Sequence, residues 1–175
     1  MPLFIATLIA LIFAIIFFSL YPLLNRVILK KKYKKIYSSK VRNISKRNNF
    51  QFLDNIELQT LNNETLIIDQ LLCGKKYVYV INDFCHFGIL SGKVNDNSWI
   101  KVDKVHKTVE YINNMFEASK NTLNSFSRIS KIDKTMLIGI SLINSECDVR
   151  LEKKENEFNF VVTPLLLTKL IKKFE

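Results

Sequence analysis

The first fifty residues contain no Asp or Glu, and they carry the whole positive surplus of a chain whose formal net charge is +10. Residues 1–25 are uncharged and largely apolar, while residues 26–47 hold ten Lys and Arg. The 26 basic and 16 acidic residues of the chain therefore leave 16 of each sign in 51–175, a segment at net zero. Leu3 to Leu24 is interrupted only by Thr7 and Ser19. As a helix this run would rise about 33 Å, enough for a hydrocarbon core of about 30 Å, and both hydroxyls can bond back to the preceding turn. No basic residue precedes the run and no small-residue cleavage site follows it, so an uncleaved signal-anchor is expected rather than a signal peptide. The charge step after it predicts one transmembrane helix over 1–25 in a single-pass plasma-membrane protein, N-terminus outside and the rest cytoplasmic.

Within the basic juxtamembrane segment, 26–50, Leu29, Tyr33, Ile36, Tyr37, Val41 and Ile44 recur at helical spacing among the cations. Lys30, Lys31, Lys32, Lys34 and Lys35 are the expected contacts to anionic headgroups of a lipid bilayer, each contributing about 1 kcal/mol near the surface. Basic runs also serve nucleic acid, but only Tyr33 and Tyr37 offer stacking surfaces here, and nucleic acid is not the expected partner.

Residues 51–175 have the length of one domain. Alternation over 51–59, an Asn62-Asn63 turn, an apolar run over 64–73, a short Gly74-Lys75 turn and a strand over 76–82 predict a meander. Short strands follow at Gly88–Gly92 and Trp99–Val102, separated by the NDN turn at 95–97. Val109, Ile112, Phe116, Leu123 and Phe126 then fit a helical stripe over 108–127. The apolar run 135–143 reads as a buried central strand, and 158–162 as another. Thr163-Pro164 opens a last helix whose stripe is Leu167, Leu170, Ile171 and Phe174, the threonine accepting from a free amide and proline suiting the first helical position. The expected fold is α/β, a mixed sheet flanked by helices.

With FLDNIEL at 52–58, IIDQLL at 67–72, YVYVIND at 77–83, GILSGK at 88–93, Trp99, the late apolar strand and the closing helix in order, the chain from about 52 to 170 resembles the nuclease-related domain (NERD) family. That family is a branch of the PD-(D/E)xK nuclease-like, restriction-endonuclease-like fold. The resemblance implies an Asp at a strand end and an E-x-K on the next strand, which together bind a divalent metal and activate water. Asp69 occupies the first place. The E-x-K should fall at Asn82-Asp83-Phe84, where Asn82 brings no charge and Phe84 cannot replace a lysine. An acid often supplied by the preceding helix would fall in the acid-free arm.

Asp83 is a substitute for the missing acid only in one strand register. With Cys73 facing Lys76, Asn82 shares the face of Asp69; a slip of one residue brings Asp83 there instead. No catalytic residue is assigned; Asp69 and Asp83 are the candidates for a metal-dependent role, and a strand carboxylate bonded to its neighbours is the plainer reading of Asp69. No cofactor is expected, with Mg²⁺ entering only if catalytic residues have migrated.

Cys73, Cys85 and Cys147 form no C-x-x-C pattern. Cys85 and His86, being adjacent, would point to opposite faces of a strand, so no metal site is expected. Cys85 and His106 as nucleophile and base have only their residue types in favour, and core packing is the default for such cysteines. The functional expectation is a membrane-anchored, catalytically degenerate nuclease-like domain acting as a binding or scaffold module, its partner another protein. The alternatives are a membrane-tethered metal-dependent nuclease or nucleic-acid processing enzyme with migrated catalytic residues, and a lipid-surface protein whose arm does the work.

Overall fold

The computed structural model describes residues 2–59, 65–103 and 107–175, with side chains from Leu11 onward except those of 22, 23, 25–27 and 30. The expected Asn62-Asn63 turn and His106 lie outside the described residues. Two compact units divide the chain, 1–35 and 36–175.

One helix, α1 (Pro2–Asn48), begins in the first unit and ends in the second. The expectations of a transmembrane helix over 1–25, of a signal-anchor and of a single-pass plasma-membrane protein with its N-terminus outside are overturned: among the described residues, no helix is long and apolar enough to cross a membrane. Helix α1 continues through the lysines and arginines to Asn48 without a break.

In the second unit the last three turns of α1 are amphipathic. Tyr37, Val41, Ile44 and Ser45 are buried, at spacings that place them on one face. The helix stops where Asn49 adopts a left-handed φ of 57°, a conformation asparagine tolerates. Ser45 closes the end by donating its hydroxyl to the Phe50 carbonyl at 2.7 Å.

The larger sheet has six strands: β1 (Gln51–Gln59), β2 (Thr65–Cys73), β3 (Val78–Phe84), β7 (Leu137–Ile143), β9 (Glu155–Asn156) and β10 (Asn159–Val162). Their spatial order is β1-β2-β3-β7-β10-β9. The β1-β2-β3 meander is antiparallel, and β3, β7 and β10 run parallel. All seven residues of β7 are buried, as an uninterrupted apolar run predicts for a strand covered on both faces.

A second sheet of four strands has the order β6-β5-β4-β8, formed by β4 (Ile89–Gly92), β5 (Ser98–Asp103), β6 (Thr108–Asn113) and β8 (Asp148–Leu151). The architecture is therefore α/β with two mixed sheets flanked by helices, not one sheet. Helix α2 (Met115–Ser130) packs on β7 and β10, and α3 (Pro164–Phe174) closes the fold.

Residues 108–113, expected as the start of a helix, form β6 instead. Their spacing imitates a helical stripe, but Val109, Tyr111 and Ile112 pair with Val102, Ile100 and Trp99 of β5. The true helix start is Asn114, whose side chain accepts from the Phe116 amide at 2.9 Å. The same side chain donates to the carbonyls of Val94 and Asp96 at 2.8 and 2.7 Å. One residue, 3% exposed, thus caps α2 and pins the NDN turn of the second sheet.

Trp99 is fully buried in a cluster with Leu90, Met115, Phe116, Ile143, Cys147 and Val161. Its ring meets Phe116 edge-on at 5.3 Å, and its indole nitrogen donates to the Lys93 carbonyl at 2.9 Å. This cluster joins both sheets and the start of α2. Thr163 precedes α3 as expected, but its hydroxyl makes no cap bond; its carbonyl accepts from Leu166 and Leu167 instead.

Candidate functional site

The two sequence candidates meet at the end of the β2-β3 ladder. Cys73 pairs with Val78, and Gln70 with Ile81. The expected pairing of Cys73 with Lys76 is thus shifted by two residues, because the turn takes the four residues 74–77 rather than Gly74-Lys75 alone. A shift of two preserves parity, so Asn82, not Asp83, falls in the row of Asp69.

The pleat is also broken there. Asn55, opposite Asp69 between the pairs Asp54–Gln70 and Ile56–Ile68, has a φ of 50°. Ile68 and Leu71, three residues apart, join the same cluster with Val80, Leu123, Phe126 and Leu137. Strict alternation would separate them.

At this break the Asp69 carboxylate stands in for a ladder carbonyl. Its Oδ2 accepts from the backbone amide of Asp83 at 2.8 Å. The Asp83 side chain in turn accepts at Oδ2 from Gln70 Nε2 at 2.8 Å. Gln70 is fully buried, and its Oε1 has no hydrogen-bond partner among the described residues. Bonding to a carboxylate fixes which end of the amide faces Asp83, since the reverse orientation would oppose two oxygens.

In the row beside Gln70 on β1 lies Asp54. Its Oδ2 accepts from the Ser38 hydroxyl at 2.7 Å and faces the Arg42 guanidinium at 3.6 Å. Arg42 also lies over the Phe52 ring, 5.4 Å from its centroid. A polar seam therefore crosses three strands: Asp54 beside α1, then Gln70, then Asp83, with Asp69 at the break. Sequence reading found Asp69 and Asp83 but missed Asp54, Gln70, Ser38 and Arg42. The Ser38–Asp54 separation of sixteen residues leaves no local signal.

Chemically, the seam is a set of hydrogen-bond acceptors with donors from the same chain. Each of the three strand carboxylates receives a donor from a neighbouring element. A metal-water mechanism needs carboxylate oxygens directed at a shared ion and a base or lysine beside the water. Among the described residues no group of three or more His, Cys, Asp or Glu is placed to hold a metal ion.

Phe84 and His86 stack at 6.1 Å, and Phe84 packs against the Trp99 cluster. Burial pushes the Cys73 thiol above its ordinary range, away from a reactive thiolate. In the first unit Lys31, Lys32, Lys34 and Lys35 are exposed, and the side chain of Lys30 lies outside the described ones.

No family model and no curated protein matches the chain. A crystal structure of a protein of unknown function is similar at 10% identity and a TM-score of 0.35, covering 66% of this chain. The chain spans 56% of that protein's length.

Proposed function

We propose that 36–175 is a non-catalytic binding or scaffold module of nuclease-like architecture, related to the NERD resemblance, in which the strand carboxylates hold the meander together. The observation that carries this reading is the bond from the Asp83 amide to Asp69 Oδ2 at 2.8 Å. In an active site that carboxylate would face a metal; here it replaces a missing ladder acceptor. The order of the end of α1, the β1-β2-β3 meander, α2 and then β7 supports the architectural part. The absence of any lysine in Asn82-Asp83-Phe84-Cys85 supports the non-catalytic part. Another protein is the partner class favoured by a 51–175 segment at net zero, because nucleic-acid affinity depends on neutralising phosphates.

One observation favours a second reading, a Mg²⁺- or Mn²⁺-dependent nuclease with migrated residues: the buried Gln70 Oε1, which has no hydrogen-bond partner among the described residues, lies in the same seam as the Asp69 and Asp83 carboxylates. The deciding experiment incubates the full chain with single-stranded DNA, duplex DNA and RNA in Mg²⁺ or Mn²⁺. The module reading expects intact substrates throughout. Metal-dependent cleavage that disappears in Asp69→Ala would overturn it.

A further inference from the structure

The turn joining β2 to β3 holds a carboxylate that no part of the seam explains. Glu175, directly after the last residue of α3, places its side chain against this turn, a hundred residues away in sequence. Its Oε2 accepts from the Lys75 amide at 2.9 Å and from the Lys76 amide at 3.3 Å. Its Oε1 accepts from the Tyr79 hydroxyl at 3.0 Å. Both oxygens are thus recognised, one by two successive backbone amides and one by a phenol on a fully buried residue.

Two further features fit a receptor rather than a chance contact. Gly74 leaves open the space that the carboxylate occupies, since a Cβ there would run into the Glu175 carboxylate. The turn itself is closed by the Gly74 amide donating to the Tyr77 carbonyl at 2.9 Å, which leaves the next two amides to point outward together, an arrangement that binds anions. Moreover, a carboxylate at a helix C-terminus faces the negative end of the helix dipole and is disfavoured there. Glu175 nonetheless continues α3, its amide donating to Ile171. Donors outside the helix must compensate: the turn supplies two and Tyr79 of β3 a third.

We propose that the β2-β3 turn, 74–77, together with Tyr79 of β3, is a carboxylate-binding nest, and that the Glu175 side chain is its intramolecular ligand, latching the end of α3 to the sheet. Phe174 docks beside it, meeting Tyr77 and Phe160 edge-on at 5.7 and 5.4 Å. The latch thus combines an anion contact with an aromatic one, and it holds in place the helix that buries Leu167 and Ile171. The ligand class is a carboxylate presented on a flexible stem, which a small carboxylate reproduces once Glu175 is removed.

The test uses the full chain, sodium acetate as the probe and backbone amide NMR as the readout, with sodium chloride at matched ionic strength as control. In Glu175→Ala the Lys75 and Lys76 amides should exchange about tenfold faster or more, as expected when a local hydrogen bond is lost. Acetate should shift both amides saturably and slow their exchange again, while leaving the unsubstituted chain unchanged. Adding Gly74→Ala to Glu175→Ala should abolish the acetate response by filling the nest. Should Glu175→Ala fail to fold, Glu175→Gln serves instead. It keeps one oxygen acceptor and should show a smaller acceleration confined to the same two amides. The proposal is overturned by unchanged exchange in either variant, or by an acetate response equal in variant and parent.

Discussion

Replacing Asp69 distinguishes a structural carboxylate from a metal ligand, because the two roles predict opposite signs. As a structural acceptor, Asp69 satisfies the part-buried Asp83 amide at 2.8 Å. Hydrogen bonds to charged groups contribute about 1.5–3 kcal/mol, and removing one partner exposes the other to its desolvation penalty. Asp69→Ala should therefore cost about 2 kcal/mol. Asp69→Asn keeps an oxygen acceptor of nearly the same shape and loses only the charge assistance, so about 1 kcal/mol is expected. In a chain of this size each kcal/mol moves Tm by about 2–4 °C, giving a fall of about 4–8 °C for the alanine variant. An empty metal site instead gathers like charges, and neutralising one of them would stabilise the protein. A metal that binds only the folded state would also raise stability with its concentration. Urea unfolding of the full chain and both variants, with and without millimolar Mn²⁺, reads all of this at once. The structural account expects the order parent, Asn, Ala and no effect of Mn²⁺. It is refuted if Asp69→Ala is as stable as the parent, or if Mn²⁺ stabilises the parent and not the variant.

Asn114→Ala should cost about 2–4 kcal/mol, since three hydrogen bonds of a residue 3% exposed are lost and the Val94 and Asp96 carbonyls go unpaired. Asn114→Asp keeps the cap but loses both donors, so chemical denaturation should place it between parent and alanine. Gly92→Ala would drive a Cβ into the Trp99 indole, with an overpacking cost of about 1–3 kcal/mol. Because Trp99 is the single tryptophan, a red-shifted, quenched emission in that variant reports the displacement directly; unchanged emission would count against the packing argument. Burial first, and then the hydrogen bond and charge of Glu175, push the Tyr79 phenol far above its ordinary value of 10.0. A raised folded-state value means that stability is full below the unfolded value near 10 and falls as pH climbs beyond it. Tyrosine absorbance should show one phenol resisting ionisation until the chain unfolds, and Tyr79→Phe should remove that part of the alkaline loss.

Much of the fold was legible. LIGISLI in 137–143 lies buried on both sides because a run without polar alternation has no face to give to solvent. Thr163-Pro164 does start α3, although the threonine hydroxyl makes no cap bond. The 108–113 segment was misread because Val109, Ile112 and Phe116 are three and four apart. That periodicity belongs by coincidence to a strand and the helix that follows it. What separates them is Asn114, whose partners Val94 and Asp96 lie 20 and 18 residues away, where local pattern cannot reach. The second sheet escaped notice for a similar reason: β4 pairs with β8 across almost sixty residues.

The candidate site shows the same division. By itself the sequence determined that Asp69 and Asp83 fall on adjacent strands, that no lysine follows at the E-x-K spacing, and that the acid-free arm carries the positive charge. Those are properties of residue identity and short-range order. Tertiary structure decided the register, because the length of the Gly74–Tyr77 turn sets which rows face each other. It also decided the break at Asn55, which turns the Asp69 carboxylate toward a neighbour's amide. And it corrected the first reading of the acid-free arm. A run of apolar residues states what a helix would prefer to contact, yet among the described residues no helix is long and apolar enough to cross a membrane. Here the helix runs on through the basic residues to Asn48.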